Sequence, residues 1–357
     1  MSKPRRIVVK VGSQALCTPD GALAPEVLRS LADQIASLRE DGWQVLLVSS
    51  GAVAAGRGMA ADAVARLSNP VAVKQVLAAV GQVHLVAAWQ EVFRAHGLVT
   101  AQVLLSKADF QSREHYLDTR ACLSGALESG LVPIVNENDV VAATEFMFSD
   151  NDELAGLLAG MMGAEILALL SSVQGVLDPG TGEIIRTWDD ERHTIHGVVQ
   201  KGSSALGRGG MESKLAEARK SAALGTAVVI AGGRADRVLE RIVQGETVGT
   251  RFPPSARVAP AKRWLAVMDD HAQGVVTVND GARDALENSD HLASLLPVGI
   301  VRVEGDFERG DVIQVRDLEG RLLGCGRADY NDALARDLLG QRDQKPLIHY
   351  DYLYIYD

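Results

Sequence analysis

Near the start of the chain the sequence reads Arg5-Arg6-Ile7-Val8-Val9-Lys10-Val11-Gly12-Ser13. Four of the five residues from Ile7 to Val11 are β-branched and apolar, the composition of a short buried strand. Lys10 breaks the apolar run. An ammonium there is costly unless it reaches a site at the strand end; the alternative is an edge strand whose lysine snorkels to water. Gly12 and Ser13 follow, and a glycine at this point lets backbone N–H groups approach a phosphate.

Moving outward, Pro25 to Glu40 places Val27, Leu28, Leu31, Ile35 and Leu38 at helical spacing. Trp43 to Val48 is a second buried strand, closed by Ser49-Ser50-Gly51. Asn69-Pro70 is a helix start, a capping side chain followed by proline in the first turn. That helix is expected to run to about Ala95, with a bend at Gly81. Val99 to Leu105, Val132 to Val135, Ile166 to Leu170 and Ala227 to Ala231 read as further strands. Helices are expected at Tyr116 to Glu128, around Leu154 to Met161, and from Met211 to Leu224. Alternating strands and helices imply βαβ units: an α/β fold, three layers around a mostly parallel sheet. Ligands on such sheets sit beyond the carboxyl ends of the strands, where the polar clusters of this sequence fall.

The pattern changes near Gly249. Pro253, Pro254 and Pro260 mark a linker, giving a first domain over 1–252, a linker over 253–262 and a second domain over 263–357. The second domain is read as small and β-rich, with strands at Gly274 to Val278, Gly299 to Val303, Asp311 to Val315 and Arg321 to Gly326 and little helix. The net charge of the chain is −10, and residues 263–357 carry −8 of it, with 10 basic against 18 acidic side chains. A nucleic-acid binder shows the opposite balance. The apolar runs are strand-sized, too short to span a bilayer, and the N-terminus lacks the pattern of a signal peptide; a cytoplasmic location without a membrane partner is expected. Cys17, Cys122 and Cys325 are scattered, as in a reducing compartment. No set of side chains at metal-ligand spacing is present.

Four clusters carry chemistry. Lys10 with Gly12-Ser13 is one. Ser50-Gly51, between a strand and a helix, is either an anion site or a plain helix cap. Ser149-Asp150-Asn151-Asp152 precedes a helix. Its acids at a helix start are explained in part by the helix dipole, at about 0.3–1 kcal/mol each, but three polar residues together with Asn136, Asn138 and Asp139 suit recognition of an ammonium group and positioning of lysines. Gly207-Arg208-Gly209-Gly210-Met211, entering a helix with Lys214, is either a phosphate-binding loop or a flexible one; it lacks the order of a Walker A motif.

Taken in order, Val9-Lys10-Val11-Gly12-Ser13, Val48 to Gly56, Lys74-Gln75 to Gly81-Gln82, Asn136-Glu137-Asn138-Asp139, Ser149 to Asp152 and Gly207 to Lys214 resemble the amino-acid kinase family. Within it they resemble the members that phosphorylate free glutamate at the start of proline synthesis. Leu295 to Ile300, Gly305 to Asp311 and Gly326 to Tyr330 resemble the PUA domain appended to bacterial members. The resemblance implies ATP and Mg²⁺ as cofactors and L-glutamate as substrate. It implies that Lys10 and Lys214 contact the transferring phosphoryl group and that Asp152 orients both. Ser50, Gly51, Asp139 and Asn151 would bind glutamate with Asp150 nearby. Lys10, Ser171, Ser172, Arg208, Gly209, Gly210, Met211, Glu212, Ser213 and Lys214 would bind the nucleotide. A homo-oligomer is implied too. Two positions depart from the family pattern: Ser171-Ser172 stands where Thr-Asp or Ser-Asp is usual, and Arg208 where threonine is usual. For the missing acid at 172, Asp178 is the nearby candidate, or else an ordinary turn residue before Pro179.

The chemistry agrees. A glutamate side chain, with a reference pKa near 4.3, is already an anion at neutral pH and needs no general base. The obstacle is bringing one anion onto another, which calls for positioning and positive charge. The acyl phosphate product is labile, so direct passage to a glutamyl phosphate reductase is a further expectation. Two alternatives stay open: a family member acting on N-acetylglutamate or a nucleoside monophosphate, and a non-catalytic regulatory or RNA-binding protein.

Overall fold

The computed structural model describes residues 4–18, 21–111, 113–141, 148, 150–193, 195, 210–255, 272–287 and 293–356. The chain forms two compact units, and along the main run of the sequence the division falls at Arg257.

In the first unit, β1 (Arg6–Val11) leads through the single turn α1 (Ser13–Leu16) into α2 (Pro25–Glu40), β2 (Gln44–Ser49), α3 (Ala52–Val64) and α4 (Pro70–Arg94). Then come β3 (Thr100–Leu105), α5 (Lys107–Gln111), α6 (Arg113–Glu128), β4 (Val132–Glu137), α7 (Asn151–Met162) and β5 (Ile166–Ser171). The unit closes with α8 (Met211–Ala223), β6 (Ala227–Gly232), α9 (Val238–Val243) and β7 (Thr250–Phe252). The sheet order is β3-β4-β2-β1-β5-β6-β7. Every pairing is parallel except β6 with β7. The parallel αβ reading holds; the antiparallel strand β7, only three residues long, escapes a periodicity reading.

The two faces of β1 part company by the strand period of two. Ile7, Val9 and Val11 enter a core built with Leu31 and Ile35 of α2, Leu85, Trp89 and Phe93 of α4, and Leu239 of α9. Lys10, at the alternate parity, faces the other layer, where α7 packs on β1. With β2 on one side and β5 on the other, β1 is central and Lys10 is buried. The edge-strand alternative is therefore excluded.

Helix α4 runs unbroken from Asn69, whose side chain accepts from Val71 N and Ala72 N. Gly81 does not bend it. A Cβ on Gly81 would stand 1.7 Å from Ala52 O, and one on Gly56 would stand 1.9 Å from Leu77 O. The two glycines let the backbones of α3 and α4 meet. By length and composition alone α4 is apolar enough to cross a bilayer, a helix that reading only short apolar runs overlooked. Here it holds its neighbours: Trp89 Nε1 donates to Ser49 Oγ at 2.8 Å and Gln75 Nε2 to Val140 O at 3.0 Å.

The second unit contains β8 (Gly274–Val278), α10 (Asp280–Glu287), β9 (Ile300–Gly305), β10 (Val312–Arg316), β11 (Leu322–Arg327), α11 (Asp332–Asp337) and β12 (Leu353–Ile355). Its sheet order is β12-β11-β10-β8-β9, with β10 and β8 parallel and the rest antiparallel. Val276, Val278, Ile313, Val315, Leu323 and Ile348 fill its core. The four strands read from sequence are present within a residue or so. The two short helices and β12 were not read: α10 and α11 are eight and six residues long, too short for a helical period to stand out.

The α3–α4 contact gives a stability test. Gly81→Ala forces a methyl into the backbone of α3, and overpacking of this kind costs about 1–3 kcal/mol or more. Chemical denaturation should show a loss at the upper end of that range, whereas Gly58→Ala, whose Cβ meets nothing within 4 Å, should cost far less.

Candidate active site

Asp152 is the centre. It lies in the first turn of α7 and is fully buried. Its Oδ1 pairs with Lys10 Nζ at 2.6 Å, and its Oδ2 accepts from Lys214 Nζ at 2.5 Å. Burial by itself would raise the Asp152 pKa, but the two ammonium groups and their hydrogen bonds outweigh it and hold the carboxyl below its usual range. Lys10 is also held below its own ordinary value. Burial lowers it, and the attraction of Asp152 offsets that only in part. Asp152 thus meets both lysines in a site closed to most water, with the buried Asp150 carboxylate close enough to act on Lys10 as well.

The first turn of α7 is fixed by Asp150. Its Oδ1 accepts from Asp152 N at 2.8 Å and Glu153 N at 3.1 Å, and its Oδ2 accepts from Ser213 Oγ at 2.6 Å. Asp150 is thus the helix cap and the tie to α8, not a group free for substrate. Ser213, expected on the nucleotide, is likewise committed to Asp150. Together they set Lys10, Asp152 and Lys214, from β1, α7 and α8, in register.

A chain of amides leads away from this centre. Asn136 Oδ1 accepts from its neighbour's amide, Glu137 N, at 2.9 Å, and from Asn151 Nδ2 at 2.9 Å. Asn136 Nδ2 donates to Gln82 Oε1 at 2.9 Å, and Asn151 Nδ2 also donates to Ser50 Oγ at 2.8 Å. Amide orientations are normally open to reversal, but a backbone N–H cannot turn into an acceptor. Glu137 N therefore fixes Asn136, and Asn136 fixes Gln82 and Asn151. The two ends are left as a buried donor, Gln82 Nε2, and a buried acceptor, Asn151 Oδ1, without partners among the described residues. Such groups are costly unless something completes them.

Ser50 and Gly51 stand at the end of β2. Gly51 is left-handed, with φ 115°, and α3 begins without a side-chain cap, so the plain-cap reading fails. Asp139 is not free: its Oδ1 accepts from Lys74 Nζ of α4 at 2.5 Å. The Gly12 amide is not available to a phosphate either, because it donates to Leu170 O at 2.9 Å. A Cβ at Gly12 would meet Leu170 O at 3.4 Å and Lys10 Nζ at 3.6 Å, both ordinary contact distances.

On the β5 side, a cavity of about 970 Å³ is lined by residues 172–177, by Gly182, Glu183, Ile184 and Arg186, and by Met211, one turn before Lys214. A second, of about 440 Å³, shares Ser172 and Gln174 and adds Ser13, Gln14, Ser171 and Arg234. Both are of ligand size. Ser171 Oγ accepts from Val173 N at 3.1 Å, while Ser172 Oγ donates to Gln14 Oε1 at 2.9 Å. Asp178 does not replace the missing acid at 172. It accepts from Gly180 N and Thr181 N at 2.8 and 2.9 Å in an exposed turn, and those amides lower its pKa. Gly210 caps α8 and Glu212 is exposed in its first turn. Arg208 and Gly209 lie outside the described residues.

Sequence reading therefore found the three charged centres and missed Gln82, Lys74 and Trp89. The available signal was polarity within the otherwise apolar helix 70–94. Glu217 was also missed. Its carboxyl sits between α7 and α8, where a Cβ on Gly156 would fall 1.6 Å from Oε1, and it accepts from Ser221 Oγ at 2.8 Å. The residue keeps some surface, but its carboxyl is deep enough that burial, with Glu153 and Asp152 nearby, pushes its pKa up to about 8.

Residues 5–232 match the amino acid kinase family, and residues 274–348 match the PUA domain. The chain is 43% identical to a glutamate 5-kinase of Chlorobaculum tepidum, across 98% of this chain and 97% of that protein. It is 42% identical to one of Bacteroides thetaiotaomicron, across 98% of each. A glutamate 5-kinase of Pseudomonas paraeruginosa is 41% identical, across 94% of this chain and 91% of the relative.

Glu217 generates a test. In the unfolded chain it ionises near 4.5, and in the fold near 8. The stability that its neutral form contributes is complete below the lower value and is lost as pH rises through the upper one. Glu217→Gln cannot ionise. Its melting temperature relative to the natural chain should therefore rise between pH 4.5 and pH 9, by several degrees; a pH-independent difference would place the Glu217 carboxyl in water.

Proposed function

The chain belongs to the amino acid kinase family, and we propose that it transfers the γ-phosphoryl group of ATP to the side-chain carboxylate of L-glutamate, giving γ-glutamyl phosphate, the first step of proline synthesis. The observation that carries this reading is the single buried carboxylate of Asp152 holding Lys10 and Lys214 beside a nucleotide-sized cavity. The acceptor carboxylate and the γ-phosphate are both anions, so the barrier is electrostatic before it is chemical. Two lysines fixed in advance need no reorganisation as charge shifts in the transfer. Asp152 is a holder rather than a base, since a glutamate carboxylate has no proton to give up at neutral pH.

In this reading the two ends of the site take the two reactants. The nucleotide takes the β5 side, over the cavity lined by Ser172 to Leu177, Arg186 and Met211, with Lys214 reaching its terminal phosphate. Glutamate lies on the β2–β4 side, with Ser50, Asn136 and Asn151 below it. Among the described residues no cluster of three or more acidic, histidine or cysteine side chains is placed to hold a metal, and the central acids already have partners. That suits a Mg²⁺ carried on the triphosphate, which keeps mostly water and phosphate ligands. Ser172 and Gln14, which line the smaller cavity, would be the neutral groups to meet its waters. When bound, the ion spreads the charge of the β- and γ-phosphates.

Three tests follow from this reading. A coupled ADP-release assay should show turnover of free glutamate and little of N-acetylglutamate, whose acetyl group removes the ammonium; equal rates would sink the substrate assignment. Lys214→Ala should lower kcat by about 100-fold or more with a smaller change in the glutamate KM, and a change within about twofold, or ~0.4 kcal/mol, would remove Lys214 from the chemistry. Ser172→Asp restores an acid at the strand end, so the Mg²⁺ concentration for half-maximal rate should fall while the glutamate KM holds. A shift in glutamate KM alone would put position 172 on the wrong side of the sheet.

A further inference from the structure

Resting on the phosphoryl-transfer reading, we propose that Glu217 is a positioning residue for Lys214: its carboxyl, seated against Gly156, sets how closely α8 runs beside α7, and so where the Lys214 ammonium stands. The two helices meet along three rungs. Asp150 Oδ2 accepts from Ser213 Oγ at 2.6 Å, and Asp152 Oδ2 accepts from Lys214 Nζ at 2.5 Å. The third rung lies about one turn further along both helices. Gly156 is four residues past Asp152 and Glu217 is three past Lys214, spacings that keep each pair on one helix face. A Cβ on Gly156 would stand 1.6 Å from Glu217 Oε1 and 2.9 Å from Ser221 Oγ. The Glu217 carboxyl therefore fills the place of a side chain at 156, and Ser221 Oγ, donating at 2.8 Å, holds it there. Glycine inside a helix is unfavourable; here it is what admits a carboxyl between α7 and α8.

A carboxyl so placed supports Lys214 only while it keeps its proton. From α7 it is acted on by Glu153 and Asp152, and from its own helix by Lys220. Glu153 also pairs with Lys107 of α5 at 3.0 Å. Of the strands packed on α8, β6 has no charged residue and β7 has only Arg251. Burial outweighs the Ser221 hydrogen bond and the attraction of Lys220, so Glu217 ionises near 8. Above that pH a third carboxylate stands beside Asp152 and Glu153, and the same charge has two effects. It pushes α8 away from α7, and it offers Lys214, on its own face of α8, a second acid to pair with. Both effects draw the ammonium away from the transferring phosphoryl group.

Steady-state kinetics of the full chain with glutamate and ATP separate positioning from simple packing, each protein being assayed below the onset of its melting. The ratio of kcat for Glu217→Gln to kcat for the natural chain should rise about three- to tenfold from about pH 6 to about pH 9, because about nine in ten Glu217 carboxyls are ionised at the upper value. The midpoint should fall near 8, and the KM values should change by less than about twofold. Taking the ratio removes the titration of Lys10, which both proteins share. A second comparison does not depend on pH. Gly156→Ala displaces the carboxyl and should lower kcat by about tenfold or more at about pH 6. Adding Glu217→Ala makes room for the new methyl and should return kcat to within about threefold of the natural chain. A kcat ratio that stays constant with pH, an effect confined to KM, or a double variant no more active than Gly156→Ala would overturn the proposal. Where Gly156→Ala does not fold, the Glu217→Gln profile decides alone. A natural chain that does not phosphorylate glutamate would instead overturn the functional reading on which the proposal rests.

Discussion

A carboxylate without water tolerates burial only if positive charge meets it. Asp152 satisfies that condition twice, with Lys10 on one oxygen and Lys214 on the other. The dependence runs both ways, since each lysine is held out of bulk water by the same acid. The three groups come from β1, α7 and α8, so the sheet and the helix layer above it are locked by electrostatics at the point where chemistry is wanted. Breaking one partner of a buried pair costs about 3–5 kcal/mol, which makes any other packing of these three elements unfavourable. The two ammonium groups remain placed to meet an anionic pair of reactants.

Neutral groups supply the precision that charge alone does not. An ion pair tolerates sliding; hydrogen bonds with fixed donors do not. Asp150 caps α7 and accepts from Ser213 of α8, so the starts of the two helices cannot drift apart without leaving a buried carboxylate unmet. The Trp89–Ser49 bond holds the end of β2 from the opposite face of the sheet. The amide chain from Glu137 N to Gln82 and Asn151 extends the same logic to β4 and α4. Each link takes its direction from the one before, so the polarity of the pocket floor is inherited from a backbone amide rather than chosen.

What could be read in the sequence follows from this division. Lys10 was legible because a charge inside an apolar strand has no ordinary explanation, and the αβ order was legible because strand and helix periods alternate over more than 200 residues. Asp150 was ambiguous because a capping acid and a substrate-binding acid occupy the same place in the sequence; only its three donors decide. Gly12 was read as opening an approach for phosphate; its own amide is spent on Leu170 O, a partner in another strand that no local pattern announces. Gly81 was misread as a bend because the glycine opposite it, Gly56, is 25 positions away. Lys74 and Gln82 act through partners in other elements, Asp139 and Asn136, and no local spacing announces that.

The site is asymmetric about β1 and β2, and the asymmetry has a physical sense. On the β4 side nearly every polar atom is assigned a direction, as selection of one small zwitterion requires: a misplaced donor or acceptor there rejects the wrong molecule by leaving a buried group unpaired. On the β5 side lie cavities of about 970 and 440 Å³, and the described contacts include serine hydroxyls, backbone and an exposed turn. A polyanion with many equivalent oxygens needs fewer fixed directions and more net positive charge, which the two lysines provide. Additional negative charge near the centre is correspondingly unwelcome. Asp150 is met by three neutral hydrogen-bond donors and Asp152 by two cations. Glu217, whose one hydrogen-bond partner among the described residues is Ser221, keeps its proton well above the ordinary carboxyl range. Acids are admitted to this site only as holders of donors or cations, which is why a serine at 172 is compatible with the rest of the electrostatic design.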